Sequence, residues 1–477
     1  MSIILKPNVR SAAKGRPVIS EVRRELSAYA LTGEDVTKQA ILDFAKENNV
    51  RYVNMQFTDM LGIVKNVTVP VHKLSEAIDN NVWFDGSSVE GFARICESDM
   101  YLKPDISTFA ILPWTLETGN VTARMICDVY TPSGKPFEGD PRYILKKQMK
   151  KAKALGYDYC TGPELEFFLF KKDNGNLRPL PHDNAGYFDQ TMDLAADIRG
   201  DMGTALDQMG VEVEALHHEV AVGQHEINFK YSDALTTADG VVTFKMVLKA
   251  IASKYGLHAT FMPKPISGIN GSGMHTNQSL FKEGVNAFFD GSDDYKLSEN
   301  AKYFIAGQLH HVRAMNAIIN PTVNSYKRLV PGYEAPVYIT WASINRSALI
   351  RIPRYTPGKE TTTRCELRCP DPSANPYLAF AVMLAAGLSG IEKKMELQAP
   401  TEEDVYHFTH KELRDRDIKS VSPNLRVALT ELKKDEVIRE ALGEHLFGKY
   451  YEAKKTEWKD YITSVSKWEL DHYLETY

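Results

Sequence analysis

The chain has 477 residues, a formal net charge of -5, and ordinary apolar and charged fractions of 43% and 25%. This length is too great for one hydrophobic core and predicts two or more domains. Without a basic excess, a nucleic acid is not expected as the partner, and no stretch is apolar for long enough to cross a membrane. The five cysteines are odd in number and widely spaced, which indicates reduced thiols and a cytoplasmic protein.

The N-terminal part of the chain predicts a small mixed domain. Residues 1–33 form a basic extension without the apolar core of a secretory signal. A helical pattern follows over residues 34–48, and strand patterns follow at residues 52–57, 63–69 and 125–129. We therefore place the small domain at residues 34–134.

The remaining residues, 135–477, predict a larger domain that begins near a Pro- and Gly-rich linker at residues 131–140. Its strands and helices do not alternate strictly, so an α+β fold is favoured over a parallel doubly wound sheet. The predicted strands are residues 164–170, 224–229, 335–341 and 363–369, and the predicted helices are residues 141–155, 237–254, 301–316 and 376–393.

Five carboxylates and one imidazole form the most informative pattern in this domain: Glu164, Glu166, Glu219, Glu226, His275 and Glu366. Glu164 and Glu166 lie two apart on a predicted strand, so both side chains point to one face. Neighbouring carboxylates repel unless a cation or a proton lies between them, and oxygen-rich donor sets suit Mg2+ or Mn2+ better than Zn2+. Each glutamate alone is more typical of an exposed or salt-bridged residue. Together they predict two metal sites.

Other segments carry complementary chemistry. The glycine-rich run 268–273 would let a ligand approach the backbone beside His275, although it lacks the ending of a P-loop. The polar segment 320–336 carries Arg328 and Glu334, and it predicts either a lid or a charged surface loop.

Arginines follow in apolar strands, where they need phosphate, carboxylate or salt-bridge partners: Arg346, Arg351, Arg364 and Arg368. With the metal ligands, they indicate phosphoryl transfer from a nucleotide.

Read together, these segments resemble glutamine synthetase, in particular the bacterial and archaeal type I form without adenylylation control. The matching motifs include residues 84–88, 97–100, 162–168, 217–219, 271–275, 320–336, 345–347 and 371–377. The resemblance implies a small N-terminal β-grasp domain followed by a larger α+β catalytic domain with a curved antiparallel sheet. It also implies a homo-oligomer, a dodecamer of two hexameric rings with active sites between subunits.

The activity that the resemblance implies is the ATP-dependent ligation of ammonium to L-glutamate, in nitrogen assimilation. The products would be L-glutamine, ADP and phosphate, formed through γ-glutamyl phosphate. Two or more Mg2+ or Mn2+ ions per active site and ATP as co-substrate would be required. Two alternatives stay open: a glutamate–amine (polyamine) ligase of the same fold, and a non-catalytic ring that senses metabolites.

The resemblance also implies residue roles. One metal would bind Glu164, His275 and Glu366, and the other would bind Glu166, Glu219 and Glu226. The substrate contacts would be Ser88, Tyr187, Asn270, Gly271 and Arg328, and the ATP contacts would be Glu214, Asn277, Ser279 and Arg351. The catalytic residues would be Asp85, Glu334, Arg346 and Arg368. Asp85 and Ser88 would come from an adjacent subunit, and Arg94 matches an arginine of glutamine feedback.

The sequence departs from the family pattern at a few positions. Leu165 stands where many members have proline, and Asn277 stands where part of the family has histidine. Neither residue is an implied metal ligand. The surroundings of Tyr406 differ from the motif of members that are adenylylated on a tyrosine, so no such modification is predicted.

Overall fold

A computed structural model describes residues 29–31, 36–89, 99–173, 176–179, 183, 185–332 and 335–477, without the side chains of Ser88 and Pro179. Arg94, Glu334 and most of the N-terminal extension lie outside the described residues.

The strands and helices are numbered separately in chain order. The strands are β1 (Tyr52–Thr58), β2 (Val64–Pro70), β3 (Val82–Asp85), β4 (Asp99–Pro104), β5 (Ala110–Ile111), β6 (Thr122–Tyr130), β7 (Asp158–Asp173), β8 (Asn176–Pro179), β9 (Val213–His218), β10 (Gln224–Phe229), β11 (Ser232–Asp233), β12 (Leu257–Thr260), β13 (Met274–Lys282), β14 (Val285–Asn286), β15 (Tyr338–Ala342), β16 (Ala348–Arg351) and β17 (Cys365–Leu367). The helices are α1 (Lys38–Glu47), α2 (Leu74–Asn80), α3 (Pro141–Ala154), α4 (Ala196–Gln208), α5 (Ala234–Lys254), α6 (Glu299–Ile319), α7 (Ser325–Arg328), α8 (Pro376–Lys393), α9 (His410–Asp415), α10 (Leu425–Lys434), α11 (Glu436–Leu442), α12 (Glu444–Thr463) and α13 (Lys467–Tyr473).

The smaller sheet is six-stranded, in the order β2-β1-β6-β4-β3 with β5 also paired to β6. Strand β1 pairs antiparallel with β2 and parallel with β6. Helix α1 begins at Lys38 rather than at the predicted residue 34, because the side chain of Thr37 caps it by accepting the Ala40 N–H at 3.2 Å. Its buried residues Ile41 and Ala45 belong to the core of this sheet.

The larger sheet has eleven strands, and its main path is β15-β16-β17-β13-β7-β10-β9. Strand β7 lies in the middle and pairs antiparallel with β13 and β10. The predicted antiparallel pairing holds except between β15 and β16, which run parallel. The α+β fold class is confirmed. The strands of the larger sheet pack with their helices in a hydrophobic core that is separate from the core of the small sheet.

Helices α6 and α8 approach each other closely in this core. A Cβ atom at Gly390 would lie 2.0 Å from the Tyr303 carbonyl oxygen, and one at Gly307 would lie 2.3 Å from that of Ala386. Glycine is therefore required at this crossing. Helix α8 is buried along most of its length, which explains its apolar sequence. Among the described residues, no helix combines the length and the apolarity that crossing a membrane requires.

A buried guanidinium joins the small sheet to the larger domain. Arg142, in the first turn of α3, donates to Asp105 and Asp128 at 2.7 Å each, and these two residues belong to the small-sheet part of the chain. It also donates to Asp239 on α5 at 3.0 and 2.8 Å. One side chain thus fixes three carboxylates from separate segments. The division at residues 134 and 135 itself stays a prediction.

Candidate active site

The strand register brings distant carboxylates together at the centre of the larger sheet. His275 on β13 lies opposite Glu164 on β7, and Glu226 on β10 lies opposite Glu166. On the next strand along, Glu366 lies opposite Asn277 of β13. All six predicted metal ligands line one cavity of about 290 Å3, which we name the carboxylate cavity.

The first donor group consists of Glu164, His275 and Glu366, whose candidate ligand atoms lie within 4.8 Å of one another. The Nδ1 atom of His275 is 3.8 Å from Glu164 Oε2 and 3.9 Å from Glu366 Oε1. Burial and the adjacent Arg368 guanidinium lower the pKa of His275 to about 3. The ring is therefore neutral near neutral pH and offers a lone pair, as a metal ligand must.

Two arginines hold the buried carboxylate of this group. Arg351 donates through Nε to Glu366 Oε2 at 2.5 Å, and Arg368 donates through Nη1 to Glu366 Oε1. The side chain of Glu366 has no exposed surface. Its orientation is therefore fixed by charge-assisted hydrogen bonds on both oxygens.

The second donor group consists of His217, Glu219 and Glu226. His217 lies 3.4 Å from Glu226 Oε1 through Nε2 and 3.5 Å from Glu219 Oε1 through Nδ1. Sequence reasoning gave His217 no role. The available signal was its position two residues before Glu219, the same spacing that linked Glu164 to Glu166.

Glu166, which sequence reasoning assigned to the second metal, lies between the two donor groups. Its Oε1 is 3.9 Å from His275 Nε2. Its Oε2 accepts hydrogen bonds from Gln224 Nε2 at 2.8 Å and from the Gly273 N–H at 2.9 Å. Burial raises the pKa of Glu166 well above its usual value, and the charges of Glu219 and Glu226 add to the shift. A divalent cation would relieve this repulsion.

We expect the affinity of this cavity for a divalent cation to rise with pH. Burial and the charges of Glu219 and Glu226 raise the pKa of Glu166, so a proton competes with the cation for this carboxyl and is released when the cation binds. Calorimetric titration with Mg2+ in two buffers of different ionisation heats measures the release. Gln224→Leu removes a hydrogen bond to the ionised form, so it should move the affinity curve to higher pH. Equal heats in both buffers would contradict this expectation.

The substrate and catalytic arginines predicted from the sequence line the same cavity, together with Tyr187, Asn270 and Gly271. Arg328 donates to the carbonyl oxygens of Cys369 at 2.8 Å and Pro370 at 3.2 Å. A Cβ atom at Gly273 would lie 2.6 Å from Arg328 Nη2, so the glycine makes room for this guanidinium. Arg346 and Arg368 line the cavity as well.

A second cavity of about 290 Å3, the outer cavity, is lined by three of the four predicted ATP contacts, Glu214, Asn277 and Ser279. Glu164 lines both cavities. The fourth, Arg351, lines the carboxylate cavity instead, where it binds Glu366. Arg364 lines the outer cavity although it received no ATP role.

A hydrogen-bonded chain connects the two cavities. Arg364 Nε donates to Asn277 Oδ1 at 2.9 Å, and Asn277 Nδ2 donates to Glu164 Oε1 at 2.9 Å. Asn277 also donates to the carbonyl oxygen of Gly162 at 3.2 Å. A ligand in the outer cavity would thus lie beside Asn277, which is hydrogen-bonded to Glu164 of the first donor group.

A buried polar network supports the back of the second donor group. Because side chains alternate on β9 and β10, His218 and His225 point away from His217 and Glu226. His218 Nε2 lies 3.0 Å from Asp183 Oδ1, and Arg199 Nη1 donates to His225 Nδ1 at 3.0 Å. Arg199 Nη1 also donates to Asp193 Oδ1 at 2.9 Å, whereas Asp183 Oδ2, Arg199 Nε and His225 Nε2 are buried without a hydrogen-bond partner among the described residues.

Among the other predicted residues that the structure describes, Asp85 lines neither cavity. Asp85, at the end of β3, is exposed, and its carboxylate accepts the Ser87 N–H at 2.8 Å. Hydrogen bonds from Ser87 lower the pKa of Asp85. The side chain of Ser88, Glu334 and Arg94 lie outside the described residues.

Two family models match the chain. The model for the glutamine synthetase catalytic domain covers residues 138–473, and the model for the glutamine synthetase beta-Grasp domain covers residues 49–132. The chain belongs to the glutamine synthetase family. The β-grasp architecture expected for the small domain is therefore confirmed.

This chain is similar to two proteins named glutamine synthetase, from Thermus thermophilus and Methanosarcina mazei, over most of their length. They are 56% and 54% identical to it, and the matches cover 92% of this chain and 99% and 98% of those proteins. A solved structure described as "GmaS/ADP complex-Conformation 1" is 32% identical in sequence to this chain and superposes with a TM-score of 0.83. The match covers 91% of this chain and 99% of the chain in that structure. The solved structure of Plasmodium falciparum glutamine synthetase is 27% identical in sequence, with a TM-score of 0.82, and the match covers 93% of this chain and 99% of the chain in that structure.

Proposed function

We propose that the chain ligates ammonium to L-glutamate at the expense of ATP, through γ-glutamyl phosphate, and acts in nitrogen assimilation. The observation that carries this proposal is the position of Glu164, which lines both the outer cavity and the carboxylate cavity. A nucleotide in the outer cavity would direct its terminal phosphate toward an acceptor among the arginines. The similarity to glutamine synthetases at more than half identity supports this assignment.

The donor sets fit divalent cations. Glutamate oxygens with one imidazole in each group match Mg2+ or Mn2+, and a cation would offset the burial and the charges of Glu219 and Glu226 that raise the pKa of Glu166. The first set would be Glu164, His275 and Glu366, and the second would be Glu219 and Glu226 with Glu166 or His217. Bound cations would offset the negative charge of the phosphates and of the glutamate carboxylate.

The residues of the carboxylate cavity would orient the two anions. Arg328, Asn270 and Gly271 would bind glutamate, and Arg346 and Arg368 would neutralise charge at the transferred phosphoryl group. The glutamate side-chain carboxylate attacks the γ-phosphorus and ADP leaves. Ammonia then attacks the activated carbonyl carbon and phosphate leaves, so one difficult step becomes two easier ones.

Proton removal from ammonium would depend on a neighbouring subunit. Asp85 lies at an exposed strand end with a lowered pKa, so it is ionised and available to a partner. It would deprotonate ammonium near Tyr187 and Glu219, which line the carboxylate cavity. Glu334 would seal the site against water.

Membership of the family supports further proposals about assembly and regulation. We propose a cytoplasmic dodecamer of two hexameric rings, with Ser88 beside Asp85 at each shared site. Arg94 would take part in glutamine feedback. Tyr406 would escape adenylylation, and its hydroxyl donates to the Ala335 carbonyl oxygen at 2.7 Å.

A substrate comparison tests the function. We expect phosphate release from ATP and glutamate to favour ammonium over ethylamine and putrescine by about tenfold or more in kcat/KM, because a compact charged pocket rejects added methylenes. A coupled assay with Mg2+ measures this preference. A higher rate with either amine would identify an amine ligase, and no phosphate release with any of the three would identify a non-catalytic ring.

Subunit sharing predicts complementation. Asp85→Asn and Glu366→Gln should each inactivate every site when expressed alone. When the two variants are co-expressed and mix at random, about a quarter of the shared sites should combine an intact Asp85 from one subunit with an intact Glu366 from its neighbour, so about a quarter of the activity should return. Co-expression of Glu366→Gln with Glu164→Gln is the matched control and should regain none, since both defects lie in one chain's cavity. Equal activity in the two mixtures would contradict a shared site.

A further inference from the structure

The segment that carries Arg346 is a short connection between two parallel strands. Residues 343–347 follow the end of β15 at Ala342 and lead directly into β16 at Ala348. Parallel strands usually need a crossover of about a dozen residues or more, so this connection must turn the chain back over a short distance. We name residues 343–347 the arginine loop. Its backbone conformation sets where the Arg346 side chain enters the carboxylate cavity, which that residue lines.

Burial of side chains does little to hold the first part of the arginine loop. Ile344 is apolar, yet it is 84% exposed. Asn345 is buried, and its Oδ1 accepts the Ser347 N–H at 2.8 Å and the Ser347 hydroxyl at 2.6 Å. These two bonds shape the turn from within. The position of the loop relative to the rest of the protein therefore depends on polar contacts with another segment.

The carboxylate of Glu402 makes such contacts at the start of the arginine loop. Its Oε1 accepts the Ser343 N–H at 2.9 Å, and its Oε2 accepts the Ile344 N–H at 2.9 Å. One side chain thus uses both oxygens on two consecutive backbone donors. Hydrogen bonds to an ionised acceptor are about twice as strong as neutral ones. The pair fixes the direction in which the chain leaves β15.

The backbone around Glu402 holds the next residue of the loop. Asn345 Nδ2 donates to the carbonyl oxygen of Thr401 at 3.2 Å and to that of Glu403. The Thr401 N–H in turn donates to the carbonyl oxygen of Trp341 on β15 at 2.9 Å. Residues 401–403 are therefore attached to the same strand from which the arginine loop departs.

We propose that Glu402 is a positioning residue for Arg346, because its carboxylate holds the arginine loop in the conformation that delivers the guanidinium to the transferred phosphoryl group. Glu402 is not among the residues that line the carboxylate cavity, so it acts through the loop rather than on a substrate. The catalytic effect rests on the proposed function, in which Arg346 neutralises charge at that phosphoryl group. The attachment of the loop does not depend on it.

Steady-state kinetics of Glu402→Gln test the catalytic effect. Glutamine has nearly the same shape, but it offers one acceptor oxygen and turns its own N–H donors toward the second backbone N–H. We expect kcat for ammonium-dependent phosphate release to fall by about tenfold or more, because small misplacements of a group at the reacting atoms are costly. The KM values for ATP and glutamate should change by less than about twofold, since the lost interaction belongs to the transition state. An unchanged kcat would overturn the proposal.

Glu403→Gln is the matched control, one residue further along the chain. The side chain of Glu403 is exposed and pairs with Arg416 at 2.9 Å. Its contact with Asn345 uses the backbone carbonyl oxygen, which the substitution keeps. We expect kcat to equal that of the unmodified protein. Equal losses of kcat in the two variants would mean that the charge of the segment matters rather than the contacts with the loop, and the proposal would be wrong.

A double-mutant cycle shows whether Glu402 acts through Arg346. Glu402→Gln should cause little further loss in an Arg346→Gln background, because the guanidinium that it positions is already absent. Radiolabelled glutamate makes the slow turnover of these variants measurable. Losses that simply add would identify a general structural role and refute positioning.

Hydrogen–deuterium exchange separates this inference from the proposed function. In Glu402→Gln, the amides of Ser343 and Ile344 should exchange faster, while the midpoint of thermal denaturation stays close to that of the unmodified protein. Unchanged exchange would refute the attachment. If the unmodified protein released no phosphate with ammonium or any amine, the proposed function and the catalytic role of Glu402 would both fall, whereas the exchange result would still decide the attachment. Full turnover in Glu402→Gln would refute only the positioning role.

Discussion

Replacing Glu366 with glutamine is expected to lower kcat for glutamine formation by at least about a hundredfold. The side chain is fully buried, Arg351 and Arg368 bind its two oxygens, and His275 Nδ1 lies 3.9 Å away. Glutamine has nearly the same shape but no charge, so it is a poor ligand for a hard cation and leaves two guanidinium groups without their partner. Steady-state phosphate release measures the loss of kcat, and calorimetric titration with Mg2+ measures the loss of metal affinity.

Glu360→Gln is the matched control for this substitution. Glu360 is exposed and accepts a hydrogen bond from the Tyr355 hydroxyl at 2.9 Å, away from both donor groups. Its replacement should leave kcat and Mg2+ affinity unchanged. Thermal denaturation shows whether the Glu366 variant remains folded. A folded Glu366→Gln protein with undiminished turnover would refute the proposed metal site.

The second large effect is expected in stability. Arg142→Met should lower the free energy of unfolding by about 3 kcal/mol, because it leaves the buried Asp239 and the partly buried Asp105 without their cation, whereas Asp128 keeps its ion pair with Lys146. Burial by itself would raise the pKa of Asp105, yet that pKa is lowered, chiefly because the Arg142 guanidinium favours the ionised carboxylate. Tyr377 donates to Asp239 at 2.7 Å but supplies no charge. The shift in the urea midpoint, at a fixed protein concentration, measures the loss.

Lys153→Met provides the comparison for Arg142. Lys153 pairs with Asp158 at 2.6 Å, and both side chains are at least half exposed. Surface pairs of this kind contribute about 1 kcal/mol or less, so the urea midpoint should barely move. If Arg142→Met were as stable as Lys153→Met, the buried cluster would not fix the small sheet to the larger domain.

Local sequence patterns predicted the elements that carry the site. The strand predicted at residues 164–170 lies within the longer β7, and Glu164 and Glu166 line the same cavity, as the two-residue period requires. The helix predicted at residues 376–393 matches α8. The parallel pairing of β15 with β16 was not predicted, because pairing direction depends on connections that no local period encodes.

The partners of the site residues were beyond the reach of sequence patterns. Arg351 was assigned to ATP, but it lies opposite Glu366 in the register of β16 and β17 and binds that carboxylate. His217 entered the second donor group because β9 pairs with β10. Arg364, directly before β17, lines the outer cavity and contacts Asn277 on β13.

The sequence by itself determined the α+β class and the glutamine synthetase motifs, and it predicted six candidate metal ligands, since composition and short-range spacing encode chemistry and periodicity. Only the tertiary structure decided which donors form a group, which arginine neutralises which carboxylate, and that Glu164 lies where two cavities meet. Those contacts join strands far apart in the chain, and they depend on sheet register and burial. Register and burial are properties of the packed molecule, which no short segment of sequence specifies.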